Sequence, residues 1–205
     1  MIWELNGIRG KGDLPAIAGT YSGPLVIMGS ARCLWDDLSM VKGTPDYMAI
    51  NYTGLFSRKK IKHWATKHYE LLPYFLGLYE EYHCPTYKAE EKTDTNLDFF
   101  WKVFKPKIYT HAPKNAQCNW EFENDAEGSS SMFAVLVGLA LGYDPIWLAG
   151  SPLDSSGCFL DPPEYCNTAE GNYEIYRKHW IEALDIFNGR VKSYSGFTRE
   201  LLGAP

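Results

Sequence analysis

Three small clusters of glycine and serine carry the residue types that bind anions in this chain of 205 residues. Gly29-Ser30-Ala31-Arg32 follows an apolar run at 24–28, and Gly128-Ser129-Ser130-Ser131 precedes another at 132–141. Gly150-Ser151 closes a short run at 145–149 and leads to Asp154. A helix beginning at the three serines would offer free N–H groups and the positive end of its dipole to a phosphate or carboxylate. The same serines could equally do no more than cap that helix. Arg32 sits in the first turn, where a guanidinium can fork onto a phosphate or remain solvated. Arg177 is a further candidate anion binder. Asn51 closes a run at 47–51, where it faces a ligand or stabilises its own turn. For moving a proton, His68 follows a run at 61–66 and is the first candidate base. Asp154 is the second candidate base and His111 the reserve, while His63 and His179 read as packing residues.

These residues need a scaffold that brings distant turns together. The run at 132–141 is long enough for about three helical turns. Gly142 suits its C-cap, and Pro145 forbids its continuation. Residues 145–149 lack alternation, as a strand buried on both faces does. Strands are also expected at 24–28, 47–51, 61–66, 107–110, 117–122 and 190–194. Helices are expected at 35–41, 70–82 and 171–187, with a terminal helical turn at 198–202. Residues 1–22 suggest one short strand and a helical turn at 13–18. Periodicity fades from 84 to 127, which suggests an insertion or lid, and 155–171 is a long loop. This alternation predicts an α/β protein, a Rossmann-like three-layer sandwich with a mostly parallel sheet, in a single domain spanning 1–205. Ligands of such sheets bind beyond the carboxyl ends of the strands. G-x-G-x-x-G and the P-loop are both absent.

A net charge of −5 argues against general nucleic-acid binding. The basic cluster Arg58, Lys59, Lys60 and Lys62 reads as a solvated turn or a phosphate-facing rim. Five cysteines without a C-x-x-C pair speak against a disulfide framework and a zinc site. The N-terminus has no apolar core of signal-peptide length, and the longest apolar run, 132–141, falls short of a bilayer span. The expectation is therefore a cytoplasmic protein without membrane contact.

The Gly29-Ser30 turn, the strand YMAIN ending in Asn51, and GSSSMFAVLVGLALGY followed by DPIWLAGSPLD together resemble a known group. They are similar to the Rossmann-like domain of bacterial sialyltransferases of the Campylobacter type and the DUF115 proteins. The latter include motility accessory factors and archaeal pterin pyrophosphokinase-like enzymes. The family turn G-x-G-P-S-L corresponds to Gly29-Ser30-Ala31-Arg32-Cys33-Leu34, and an asparagine closing the second strand to Asn51. The family's serine turn, A-L-G-Y helix end and I-Y-L-x-G-x-D strand match Ser129-Ser130, Leu141-Gly142-Tyr143 and the stretch from Ile146 to Asp154. The ending GRVKSYSGFTRELLGAP is similar to that of small phage and prophage proteins.

The resemblance implies a glycosyltransferase-like enzyme taking a CMP- or UDP-linked sugar as donor, with an acceptor it does not identify. Gly29, Ser30, Asn51, Ser129 and Ser130 would contact base, ribose or phosphate. The family carries a histidine in the loop after the late strand; here 155–171 holds Tyr165 and no histidine. No cofactor is required by the pattern, although Asp154 with Asp161 or Glu164 could hold magnesium. Two other readings stay open: a nucleotide-dependent pyrophosphokinase or phosphotransferase, and a non-enzymatic phage or host interaction protein. A homo-oligomer is compatible with each.

Overall fold

The structure is a computed structural model that describes residues 2–12, 18–57, 59–68, 71, 74, 107–110, 118–122, 129–161 and 170–205. Its strands are β1 (Ile2–Leu5), β2 (Ile8–Gly12), β3 (Leu25–Met28), β4 (Asp46–Ile50), β5 (His63–Ala65), β6 (Lys107–Thr110), β7 (Cys118–Phe122), β8 (Ile146–Ala149) and β9 (Val191–Ser193). Its helices are α1 (Leu34–Met40), α2 (Thr53–Phe56), α3 (Ser130–Leu141), α4 (Glu170–Glu182), α5 (Leu184–Phe187) and α6 (Gly196–Leu202).

The strands form one sheet in the order β1-β2-β7-β6-β5-β4-β3-β8-β9. Every pairing from β7 across to β9 is parallel, and the β1–β2 hairpin joins β7 antiparallel. The chain steps outward from β3 through β4, β5, β6 and β7, then returns to place β8 on the other side of β3. Strand order therefore reverses between β3 and β8, the place where open α/β sheets bind ligands.

β3 shows why the sheet needs two helical layers. All four of its residues are buried; Leu25 and Ile27 face one core, Val26 and Met28 the other. The first core is built around α3, whose residues from Met132 to Leu141 are all buried. A helix apolar on every side belongs inside a protein. α3 lies across β3, β4, β5 and β8, with α4 and α5 beside it through Trp180 and Phe187. At Gly138 an added Cβ would stand 2.9 Å from both Leu25 and Ile146, which explains the glycine in the contact face. α1 and α2 cover the second core through Leu34, Leu38 and Leu55. This is the Rossmann-like three-layer α/β sandwich expected from the sequence.

Four local expectations change. Residues 1–22 contain two paired strands, not one; their turn is Asn6-Gly7, both at positive φ (53° and 79°), the dipeptide that favours a tight hairpin. Residues 53–56, where no element was expected, form a turn of helix. The helix expected at 171–187 breaks at Ala183 into α4 and α5. Within 84–127 the two strand candidates are β6 and β7 of the main sheet. The rest of that segment, residues 13–17, and the helix expected at 70–82 apart from Leu71 and Tyr74 lie outside the described residues.

Candidate strand-end binding site

At the reversal point the turns after β3 and β8 touch. The Gly29 N–H donates to the Ala149 carbonyl at 2.8 Å, and the Ala31 N–H to the Gly150 carbonyl at 3.0 Å. A Cβ on Gly29 would lie 2.2 Å from both the Gly150 oxygen and Ser151 Oγ, so only glycine permits this approach. Gly150 adopts φ +67°, and its own Cβ would meet Leu34 at 2.8 Å. Both glycines, singled out for a ligand, thus fix the spacing between two strand ends. Ser151 carries the contact onward, its hydroxyl lying 3.1 Å from that of Ser131 on α3.

α3 begins at the same rim. Ser129 is its N-cap, with Oγ accepting from the Met132 N–H at 3.2 Å. Ser130 Oγ accepts from Asn51 Nδ2 at 3.4 Å. The serine side chains therefore do cap and brace the helix, as the plainer reading held. The N–H groups of Ser130 and Ser131 have no acceptor among the described residues. No acidic side chain stands in the first turn of α3. α1 differs: Asp36 and Asp37 occupy its first turn, and the Asp37 carboxylate accepts from the Gly150 N–H (2.7 Å) and Ser195 Oγ (2.8 Å). Unlike α1, α3 has no acid in its first turn to compensate its positive end. Gly128 lies outside the described residues.

Asn51 joins β4 to its neighbours. It sits at φ +49°, a conformation asparagine tolerates better than most residues. Its Oδ1 accepts from Thr66 Oγ1 at 2.9 Å while Nδ2 reaches Ser130, so it braces three elements rather than its own turn. Thr66 Oγ1 in turn accepts from the His68 N–H at 3.0 Å, placing exposed His68 just past the end of β5. The next residue, Tyr52, hydrogen-bonds Ser30 and lies 2.6 Å from Cys158 Sγ. Burial, then the Cys158 contact, pushes its phenol up to about 12, so it stays protonated and is not a base.

The loop after β8 folds back over the first turn. Phe159 N–H donates to the Ser30 carbonyl (2.9 Å), and Arg32 N–H to that of Gly157 (3.2 Å). Arg32 also extends its guanidinium to the Asp161 carbonyl at 3.5 Å. Asp154 accepts from the Ser156 N–H, and Asp161 from the Cys158 N–H, each closing a turn of this loop. Glu164 and Tyr165 lie outside the described residues. Arg177 donates twice to the Leu153 carbonyl, at 3.0 and 2.9 Å, and so braces the loop backbone. His68 follows β5 and Asp154 follows β8, three strand spacings apart, or roughly 14 Å. They therefore serve different points along the rim. Cys33 faces Ser195, and burial pushes its thiol up to about 11, which removes it as a nucleophile.

The remaining buried histidine belongs to the opposite edge. His63 opens β5 and bonds Tyr109 (3.1 Å) and Tyr143 (2.8 Å), and the Tyr143 hydroxyl donates to Asp46 at 2.7 Å. His111 lies outside the described residues. Thr66 and Asp37 were not singled out in the sequence, and Tyr52 and Ser151 were noted only as neighbours of Asn51 and Gly150. Asp37 had a visible signal as an acid in the first turn of a helix; the others acquire meaning only through strand order.

No protein-family model and no curated protein matches the chain. Among solved structures it is similar to the sialyltransferase CstII from Campylobacter jejuni in complex with cytidine-5'-monophosphate. The identity is 15% over 88% of this chain and 84% of that one, with a TM-score of 0.47. CST-II with a trisaccharide acceptor and CMP gives 15% identity, 88% and 85% coverage and a TM-score of 0.47. Monomeric CstII gives 16%, 88%, 85% and 0.48. The likeness is one of fold alone.

Proposed function

We propose that the chain is a nucleotide-sugar-dependent glycosyltransferase-like enzyme whose donor lies along the carboxyl ends of β4, β3 and β8. The observation that carries this reading is the start of α3. Two amides without an acceptor and an uncompensated helix dipole face the rim where the turn at Gly29 and Ser30, Asn51 and Ser151 converge. In this reading the Ser130 and Ser131 amides receive the donor phosphate. Asn51 and the Ser30 turn orient base and ribose.

The transfer breaks the bond between the anomeric carbon and the phosphate oxygen, which leaves with the electron pair. The helix end stabilises the charge gathering there. The acceptor oxygen forms the new bond to the same carbon and yields its proton to a base. His68 is assigned as that base, because it stands exposed beyond β5 on the Asn51 side. Asp154, on the far side of the reversal point, would orient the sugar. Magnesium is not required by this scheme, although Asp154 and Asp161 each keep an oxygen beyond the turn they close.

Calorimetric titration with CMP, UDP and their sugars, with and without magnesium, is the direct test. Micromolar binding of a cytidine or uridine nucleotide is expected, and silence toward all of them would overturn the reading. Magnesium-dependent binding of ATP alone would point to a phosphotransferase instead.

A further inference from the structure

A second cavity opens on the sheet face opposite α3, between the end of α1 and α6. It measures about 480 Å³, within the range of small-molecule sites, and is lined by Trp147, Tyr194, Met40, Lys42 and Arg199 among others. Trp147 lies half-buried on β8, and its indole offers a flat apolar wall. Tyr194 is more than nine-tenths buried, yet its hydroxyl has no hydrogen-bond partner among the described residues. Tyr194 is one of the residues that line the cavity. An unpaired hydroxyl on a residue lining a cavity is suited to a ligand that completes it. Lys42, just beyond α1, and Arg199, on α6, make no ion pair among the described residues.

Two cations, one open hydroxyl donor and an indole wall define a chemistry. We propose that this cavity binds a planar aromatic anion, with its ring against Trp147 and its acid group between Lys42 and Arg199. The Tyr194 hydroxyl donates to an oxygen of that ligand. The cations set the sign of the charge, and the indole and Met40 set the apolar body. The inference is independent of the nucleotide reading, since none of the residues it uses belongs to the strand-end rim.

The probe is naphthalene-2-sulfonate, with the neutral naphthalene-2-sulfonamide as its control. Binding is followed by calorimetry and by the indole N–H resonance of Trp147, identified through Trp147→Phe. Expected are one saturable site, movement of the Trp147 resonance, and a sulfonamide weaker by about tenfold or more. Arg199→Gln and Lys42→Gln should each weaken the sulfonate by about tenfold and leave the sulfonamide unchanged. Tyr194→Phe should weaken both by several-fold. Lys42 and Arg199 are exposed, so their variants should keep the parent's circular dichroism and melting temperature. No saturation at millimolar probe overturns the proposal. So does equal binding of sulfonate and sulfonamide, or sulfonate binding that leaves the Trp147 resonance in place.

Discussion

The hydroxyls of Ser131 and Ser151 lie 3.1 Å apart, joining the first turn of α3 to the end of β8. The Ser151 hydroxyl also limits the space at Gly29, and Asn51 reaches Ser130 beside it. The helix end and both glycine turns are thereby locked in one arrangement by short polar contacts. In the proposed reading, an anion arriving at the α3 amides would meet a site organised before binding, so little ordering cost would oppose it.

Ser129 separates capping from ligand binding. Ser129→Ala removes the acceptor for the Met132 N–H and should cost about 1 kcal/mol, while nucleotide affinity changes little. Ser129→Asp keeps the cap and adds a favourable charge at the helix start, so its melting temperature should hold or rise. The same charge should repel a phosphate and weaken nucleotide binding by about tenfold or more. Thermal unfolding and calorimetry on both variants check the crossed pattern; equal nucleotide affinity in the two would remove the phosphate from α3.

Gly29 and Gly138 should respond unequally to the same methyl group. At Gly29 it meets a backbone oxygen and Ser151 Oγ at 2.2 Å, and the strand ends must part, at a cost of about 1–3 kcal/mol. At Gly138 it meets the ends of Leu25 and Ile146 at 2.9 Å, which can rotate. Alanine also recovers up to about 1 kcal/mol of helix propensity there. Urea unfolding should rank Gly29→Ala well below Gly138→Ala, and the reverse order would disprove the close-approach account.

The sequence made the parallel core legible because its signals are local. The unalternating runs, Gly142 and Pro145 each act through neighbouring residues. Asn6-Gly7 was just as local and was passed over, which cost one strand of the hairpin. What stayed hidden depends on strand order. Gly150 and Asp37 are separated by 113 positions, and Asn51 and Ser130 by 79. No spacing rule links such pairs until β8 is known to lie beside β3. Arg177 illustrates the converse: its type suggested an anion, but two of its donors are committed to a carbonyl.

That commitment has a measurable role. Leu153 is held at φ +53°, a conformation costing an ordinary side chain about 1–2 kcal/mol. The forked Arg177, packed 4.8 Å over the Phe197 ring, clamps its carbonyl. Arg177→Met should destabilise by about 1–2 kcal/mol. In a Leu153→Gly background, where the conformation is freely adopted, the same change should cost less. A urea-denaturation double-mutant cycle reads this coupling, and strict additivity would show that the clamp does not hold the strained turn.

His63 should make the fold acid-sensitive. Burial first, then Lys62, pushes its imidazole down from 6.5 to about 3, and the ring stays neutral between Tyr109 and Tyr143. In the unfolded chain it takes a proton near pH 6.5, which the native state refuses until about pH 3. Across that window the unfolded state binds more protons, so stability falls as pH falls. The loss should reach about 2 kcal/mol between pH 7.5 and pH 5. Asp46 acts in the same direction at lower pH. Burial alone would raise it, but hydrogen bonds from Lys62 and Tyr143 outweigh that and hold it below the usual carboxylate range. Its contribution is therefore present above the unfolded value of 3.8 and lost as pH drops through the native one. Urea unfolding at pH 7.5, 6, 5 and 4 should show the decline beginning well above carboxylate titration. His63→Gln should be less stable at pH 7.5 yet show a flatter dependence down to pH 5. A wild-type profile flat to pH 5 would mean that the imidazole is protonated in the native state.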